Sequence, residues 1–209
     1  MKKIFLAAAL AATTIASAQA ADISGLINTG ASLVTGAQDS NYQLSVLSGN
    51  TVLPSDHAYI TQDWAGPWLS NSGDSRWITP TANQGQSLDP YTPGVYQYAL
   101  SFNVTGADAA TAAFNGRFSA DNSVVVMLNG QQIAGAAGFW SWTDFSVTSG
   151  LHSGVNTLDF VVTNYAQFDG NPTGLRVEFL TAAVPEPSSY AMLLAGVGLL
   201  GWVGRRRKV

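Results

Sequence analysis

The 209-residue chain contains no cysteine. That excludes disulfides, a thiolate nucleophile and a Cys-ligated zinc centre together. Cations are nearly as scarce. Between Ala21 and Val184 the only basic residues are Arg76, Arg117 and Arg176, against twelve acidic ones from Asp22 to Glu178. The whole chain stands at −4 only because Lys2, Lys3 and the run Arg205, Arg206, Arg207, Lys208 restore positive charge at its two ends. With no patch able to neutralise phosphates, nucleic acid is excluded as a partner. Histidine is limited to His57 and His152. No H-E-x-x-H or paired-His metal spacing occurs. Gly150-Leu151-His152-Ser153-Gly154 misses the G-x-S-x-G spacing of a nucleophile elbow. No spacing among the aspartates selects a glycosidase pair. The chain reads as a non-enzyme.

Apolar runs are confined to the termini. At the start, Lys2 and Lys3 precede Ile4 to Ala12, and Ala18-Gln19-Ala20 offers an A-x-A site. This is the pattern of a signal peptide over residues 1–20, cleaved after Ala20, and it implies handling by the Sec export machinery. At the end, Val184-Pro185-Glu186-Pro187 leads into an uncharged stretch from Ser188 to Gly204, followed by the basic stop Arg205–Lys208. A spanning helix needs about 20 apolar residues, about 17 at the least. Residues 188–204 sit at that lower bound, and Gly196, Gly198 and Gly201 weaken the helix further. The cations after it should stay cytoplasmic, placing everything upstream across the membrane.

The order motif, short transmembrane stretch, basic end over residues 184–209 resembles the PEP-CTERM sorting signal of Gram-negative bacteria. That resemblance implies a tail held transiently in the inner membrane and cut near Pro185–Pro187 by an exosortase. The protein would then pass to the cell surface or the extracellular matrix. Taken without the resemblance, the same residues also describe an unprocessed C-terminal anchor.

Between the two terminal segments, residues 21–183 form one domain by length, stable by packing alone. Residues 50–91 are polar and carry Trp64, Trp68, Trp77 and four prolines. A stretch this long without its own structure is uncommon unless functional. From Tyr96 onward a period of two sets in. Tyr96, Tyr98, Leu100, Phe102 and Val104 alternate with Gln97, Ala99, Ser101 and Asn103. Short strands are expected at Phe114–Phe118, Val124–Leu128, Phe139–Val147, Val155–Thr163 and Leu175–Phe179. Asn129-Gly130 marks a hairpin, because both turn positions need φ > 0. Spaced strands without helices predict an all-β sandwich.

Within residues 75–181, Ser119-Ala120-Asp121-Asn122, Asn156 to Val162 and Pro172 to Glu178 resemble the galactose-binding-like jelly rolls that include many carbohydrate-binding modules. The resemblance implies a jelly-roll β-sandwich and, as candidate ligand classes, sugars, lipids or proteins. Stacking of sugar rings on aromatics makes Trp64, Trp68 and Tyr91 the candidate carbohydrate-binding residues, while Trp77, Trp140 and Trp142 are expected in the core. Such jelly rolls often hold a structural Ca²⁺, for which Asp74, Asp121 and Asp169 are candidates; the same residues also read as turn formers. No other cofactor is expected. The function expected is a non-catalytic exopolysaccharide or biofilm-matrix protein that binds polysaccharide. The rivals are a structural matrix protein without a ligand and a polysaccharide hydrolase.

Overall fold

The computed structural model describes residues 22–63, 66–105 and 112–183, with Gly196 alone in the tail. The leader and the stretch 188–204 therefore lie outside the described residues. Among the described residues no helix is long and apolar enough to cross a membrane. The chain divides into two units, and all strands fall in the one spanning Ala20–Pro185.

This unit is all-β. Its strands are β1 (Asp22–Ser24), β2 (Gln38–Ser48), β3 (His57–Ile60), β4 (Ile78–Thr79), β5 (Gly94–Thr105), β6 (Ala113–Leu128), β7 (Gln131–Val147), β8 (Gly154–Asn164) and β9 (Gly174–Ala183). Pairing runs β1-β5-β2-β3-β4-β9-β6-β7, with β8 joining β5 to β6. The two faces of this jelly-roll-type sandwich thereby meet through β8 and through the long strand β6. The ladder from Gly94↔Asn164 to Val104↔Gly154 is unbroken. Along it, Tyr96, Tyr98, Leu100, Phe102 and Val104 are buried as their alternation predicts. Opposite them lie Leu158, Phe160 and Val162 of β8, with Phe114, Phe118, Val126, Leu175 and Val177 completing the core. The Asn129-Gly130 hairpin forms with φ of 49° and 79°.

Two strands are longer than the sequence pattern suggests. Phe114–Phe118 and Val124–Leu128 are halves of one strand, β6, and Ile133 and Phe139–Val147 belong to one strand, β7. The intervening Ser119-Ala120-Asp121-Asn122 looks like a turn but stays hydrogen-bonded. Up to Asp121↔Gly174 it pairs with β9, and from Ser123↔Thr163 onward with β8. The polar residues mark a change of partner, with irregular register against β7 between Phe118 and Ser123.

The outer face of β9 is not wet. Asn28 and Thr29 cover its free edge, Phe179 N donating to Asn28 Oδ1 (2.7 Å) and Val177 N to Thr29 Oγ1 (3.0 Å). Residues 69–77 lie over Arg176 and Glu178, which are each 3% exposed. Arg176 donates Nε to Ser75 Oγ (2.7 Å), a second nitrogen to Ser72 Oγ (3.0 Å) and a third to the Ser70 carbonyl. Glu178 accepts from Ser75 Oγ (2.6 Å), Arg117 Nε (2.8 Å) and Arg176 (3.3 Å). Both guanidinium carbons sit over the Trp142 ring, at 4.5 and 4.7 Å. Two of the domain's three arginines are thus committed to one buried carboxylate and one indole.

Among the described residues two buried polar side-chain atoms lack a hydrogen-bond partner, the Tyr98 hydroxyl and Asn164 Oδ1. The Tyr98 hydroxyl is fully buried without a hydrogen-bond partner. Burial also pushes its phenol well above the usual tyrosine range, with nearby Tyr96 adding to the rise. An unmet buried donor costs about 1–3 kcal/mol. Tyr98→Phe is therefore expected to be neutral or to stabilise the domain by about 1 kcal/mol, as read from the urea midpoint. A loss above that size would mean the hydroxyl has a partner.

Candidate functional site

One end of the sandwich is organised by a buried carboxylate. Asp89 has left-handed backbone geometry (φ 56°) and turns the chain toward β5. Its Oδ2 accepts from the Tyr96 hydroxyl (2.7 Å) and Asn164 Nδ2 (2.9 Å), and its Oδ1 from Thr51 Oγ1 (3.3 Å). Burial above all pushes the Tyr96 phenol up; the Thr51 hydroxyl opposes this and Asp89 adds to it. Gly94 makes the approach feasible, since a Cβ there would lie 2.3 Å from the Asp89 carboxylate. Gly94→Ala should displace Asp89 and leave Tyr96 and Asn164 buried with fewer partners. We expect a loss of about 2–4 kcal/mol by chemical denaturation; an unchanged midpoint would show that Asp89 does not hold this end.

Asp89 and Asn171 tie two loops together. Leu88 N donates to the Asn171 carbonyl (2.9 Å), and Asn171 Nδ2 donates to the carbonyls of Leu88 (2.6 Å) and Tyr165 (2.9 Å). Gln167 N donates to the Asp89 carbonyl (3.3 Å). Clamped from beneath, the pair of loops presents Tyr91 and Phe168, 78% and 74% exposed, with ring centroids 6.0 Å apart at 56°. Beside Tyr91 is a hollow of about 360 Å³, lined by Asn50, Thr51, Val52 and the segment from Gln86 to Thr92. Both ends of the long polar stretch 50–91 therefore meet at one place, where the exposed ring of Tyr91 borders polar side chains and Phe168 stands beside it. That combination suits a flat ligand with one apolar face and many hydroxyls.

A second hollow, of about 320 Å³, borders the same loops and reaches Pro67, Trp68, Asp121, Asn122, Phe139, Gln167 and Pro172. Asp121 is 5% exposed. Its Oδ2 accepts from Trp68 Nε1 (2.8 Å) and its Oδ1 from Asn122 Nδ2 (2.6 Å), while its backbone carbonyl accepts from the Thr173 hydroxyl. Burial pushes the carboxyl up to about 6, against the pull of the Trp68 and Asn122 hydrogen bonds. Among the described residues no cation pairs with it.

The three candidate carbohydrate-binding residues separate. Tyr91 is exposed on the rim. Trp68 is 7% exposed and stacks on Trp77 (4.5 Å, 29°), so one ring face is covered and little of the indole reaches the second hollow that it borders. Trp64 lies outside the described residues. Trp77 is buried as expected, Trp142 is half-buried beneath the arginines, and Trp140 is 63% exposed against Phe139, not in the core. The reason is register: the core face of β7 carries Phe145 and Val147, Trp142 shares the opposite face with Asp144 and Arg117, and Trp140 lies where the pairing with β6 is irregular. Phe168, the partner of Tyr91, was not legible in the sequence as a site residue. Its only signal is an apolar ring inside the polar turn Gln167–Pro172.

Asp74, Asp121 and Asp169 do not converge. Among the described residues no three carboxylates or imidazoles gather as a metal set would. Asp74 is an exposed turn residue whose N–H meets Ser72 Oγ (3.2 Å), and exposed Asp169 caps Gly170 N (2.8 Å). Asp121 is the one carboxylate among the described residues that line its hollow. Calcium asks for six to eight oxygens, and this donor set does not fit it. The histidines also stand apart, His57 Nδ1 beside Asp56 (2.8 Å) and His152 exposed in its turn.

Residues 183–208 match the PEP-CTERM protein-sorting motif. The sorting residues Val184–Pro187 and the basic stop Arg205–Lys208 fall in that match. The chain thus carries a signal for export and membrane-associated sorting. No curated protein matches the sequence. Among solved structures, a PA14 sugar-binding domain from an RTX adhesin is 16% identical, over 44% of this chain and 51% of its own, with a TM-score of 0.27. A Bifidobacterium dentium β-glucuronidase is 20% identical over 68% of this chain and 20% of its own, at 0.35. A family 29 carbohydrate-binding module is 9% identical over 78% and 88%, at 0.36. This chain therefore spans about half of the adhesin domain and a fifth of the glucuronidase. At TM-scores this low, none of them carries an argument about the site.

Proposed function

We propose that the sandwich is a non-catalytic polysaccharide-binding domain of the cell surface or extracellular matrix, with a role in exopolysaccharide or biofilm. Its tail takes it there, through Sec export, a transient stay in the inner membrane and exosortase cleavage near Pro185–Pro187. The observation that carries the binding reading is the exposed Tyr91 on the rim of the polar hollow of Asn50, Thr51 and Gln86–Thr92, with exposed Phe168 beside it. Aromatic faces take the C–H side of a sugar ring, and side chains such as Asn50 and Gln86 meet hydroxyls. Affinity electrophoresis through gels containing matrix polysaccharide tests it. The wild-type chain should be retarded, and Tyr91→Ala with Phe168→Ala should weaken binding about tenfold or more. Retardation by no polysaccharide would leave the domain as a structural matrix protein, a reading favoured by the burial of Trp68 against Trp77.

Charge sets which glycans qualify. Arg117 and Arg176 are spent on Glu178, and Arg76 reaches Thr35 (3.0 Å), far along the chain from the rim. Among the described residues that line the hollow there is no cation to meet a uronate or sulfate. Neutral glycans should bind with little salt dependence, and acidic ones should not.

Intact mass of the exported protein tests the sorting route. Loss of residues 1–20 and of the segment after Pro187 is expected. A mass retaining Arg205–Lys208 would replace the matrix reading by a membrane-anchored one.

A further inference from the structure

The second hollow differs from the first in one respect: it holds a buried carboxylate without a counter-charge. We propose that the hollow between Asp121, Trp68 and Phe139 is a separate binding site for an organic ammonium group.

Three observations converge on it. Asp121 lines the cavity while only 5% exposed, and each of its oxygens has a single neutral donor, leaving acceptor capacity on both. The walls include Trp68, Phe139, Pro67 and Pro172, an apolar surround in which a carboxylate attracts a cation more strongly than it would in open water. Among the described residues that line the hollow there is no competing cation. From the Trp68 loop, Asp121 meets the indole; from the residue just before β9, Thr173; from the loop after β8, Tyr165 through Asn122, and exposed Asp169 in its own turn. Arg176, which β9 carries on the same face as Asp121 (Ser119↔Arg176 beside Asp121↔Gly174), is held by Ser75, Ser72 and Glu178 instead. Asp121 is the one charged side chain among the described residues that line the hollow. Calcium fails here for want of further carboxylates, whereas an ammonium needs one carboxylate and a few neutral acceptors such as the Asn122 and Gln167 carbonyl oxygens. At about 320 Å³ the hollow holds a group of monosaccharide or head-group size.

An ammonium ion would be held only by ionised Asp121, whose carboxyl titrates at about 6. Binding should therefore strengthen as pH rises through that value, the reverse of its effect on the empty fold. Choline keeps its charge at every pH and so isolates the titration of Asp121. The full chain in mild detergent is titrated calorimetrically with choline, glucosamine and glucose. We expect choline or glucosamine, or both, to bind at pH 8 at least tenfold more tightly than glucose. Choline affinity should fall about tenfold by pH 5. Glucosamine alone binding would mark an amino sugar as the source of the ammonium, and choline alone a quaternary head group. Asp121→Asn should abolish the preference over glucose; if that variant does not fold, the wild-type pH profile decides. Equal affinity for glucose and both cations, no binding of any of them, or a choline affinity indifferent to pH overturns the proposal. None of these outcomes depends on Tyr91 or Phe168, so failure here leaves the polysaccharide reading standing.

Discussion

Glu178→Ala is expected to destabilise the domain by about 3–5 kcal/mol, the usual consequence of stripping one partner from a buried ionic cluster. The Glu178 side chain is 5% exposed and that of Arg176 3%, while Arg117 reaches partly to solvent at 34%. Without the carboxylate, two guanidiniums would share one side of the domain over a single indole, and Ser75 Oγ would lose its 2.6 Å acceptor. Burial alone would push the Glu178 carboxyl up. The Ser75 hydrogen bond, the Arg117 hydrogen bond and the charges of both arginines outweigh that and hold it below the usual carboxylate range. A depressed folded value means that the stabilisation is present above the unfolded carboxylate value and disappears as pH falls through the folded one. Urea unfolding at pH 7 reads the effect directly. Glu178→Gln keeps the shape and some hydrogen bonds, so it should fall between wild type and Glu178→Ala. A Glu178→Ala midpoint within about 1 kcal/mol of wild type would show the arginines to be solvated rather than held.

That cluster also shows where pattern reading stops. Leu175, Val177 and Phe179 alternate with Arg176 and Glu178, and the alternation correctly assigns the strand and its core face. It says nothing of the other face, which becomes dry only because residues 69–77, far away in sequence, fold across it. The same holds for β7, where alternation of Trp140 and Trp142 with polar residues meant an edge strand with one ring exposed and the other under arginine. Periodicity reports local geometry; burial depends on which distant segment arrives. The hairpin at Asn129-Gly130 was legible for the opposite reason, since positive φ is a local demand met by two adjacent residues. At the candidate site, the stretch 50–91 was visible as an anomaly of length and composition, and Tyr91 with it. Phe168 and the clamp through Asn171 were not, because Asp169-Gly170-Asn171-Pro172 carries the chemistry of an ordinary turn. Trp68 misled for a related reason: an indole in a polar loop looks available until Asp121, fifty-three residues on, accepts its N–H.

Asp121 should make the domain less stable as the solution is brought from acid toward neutral. Its carboxyl is raised in the fold to about 6 from an ordinary 3.8, because burial penalises the charge more than the Trp68 and Asn122 hydrogen bonds favour it. Below the unfolded value the group is protonated in both states and contributes no penalty. Between about pH 4 and 6 the unfolded chain ionises freely while the fold resists, so stability declines, and above that the loss is complete. At 1.36 kcal/mol per unit of displacement the decline amounts to about 2–3 kcal/mol. Asp121→Asn removes the charge but keeps an oxygen for the Trp68 indole, surrendering only the Asn122 contact, about 1 kcal/mol. The two proteins should therefore cross. Near pH 4 the variant should be the weaker by about 1 kcal/mol, and at pH 7.5 the stronger by about 1–2 kcal/mol. Urea midpoints taken every half unit across this range, in the absence of amines, measure it. Glu178 acts in the opposite direction and at lower pH, so it tilts both curves alike and cancels from their difference. Parallel curves would mean that Asp121 finds a cation or water in the fold. The hollow beside it would then have no uncompensated charge to offer a ligand.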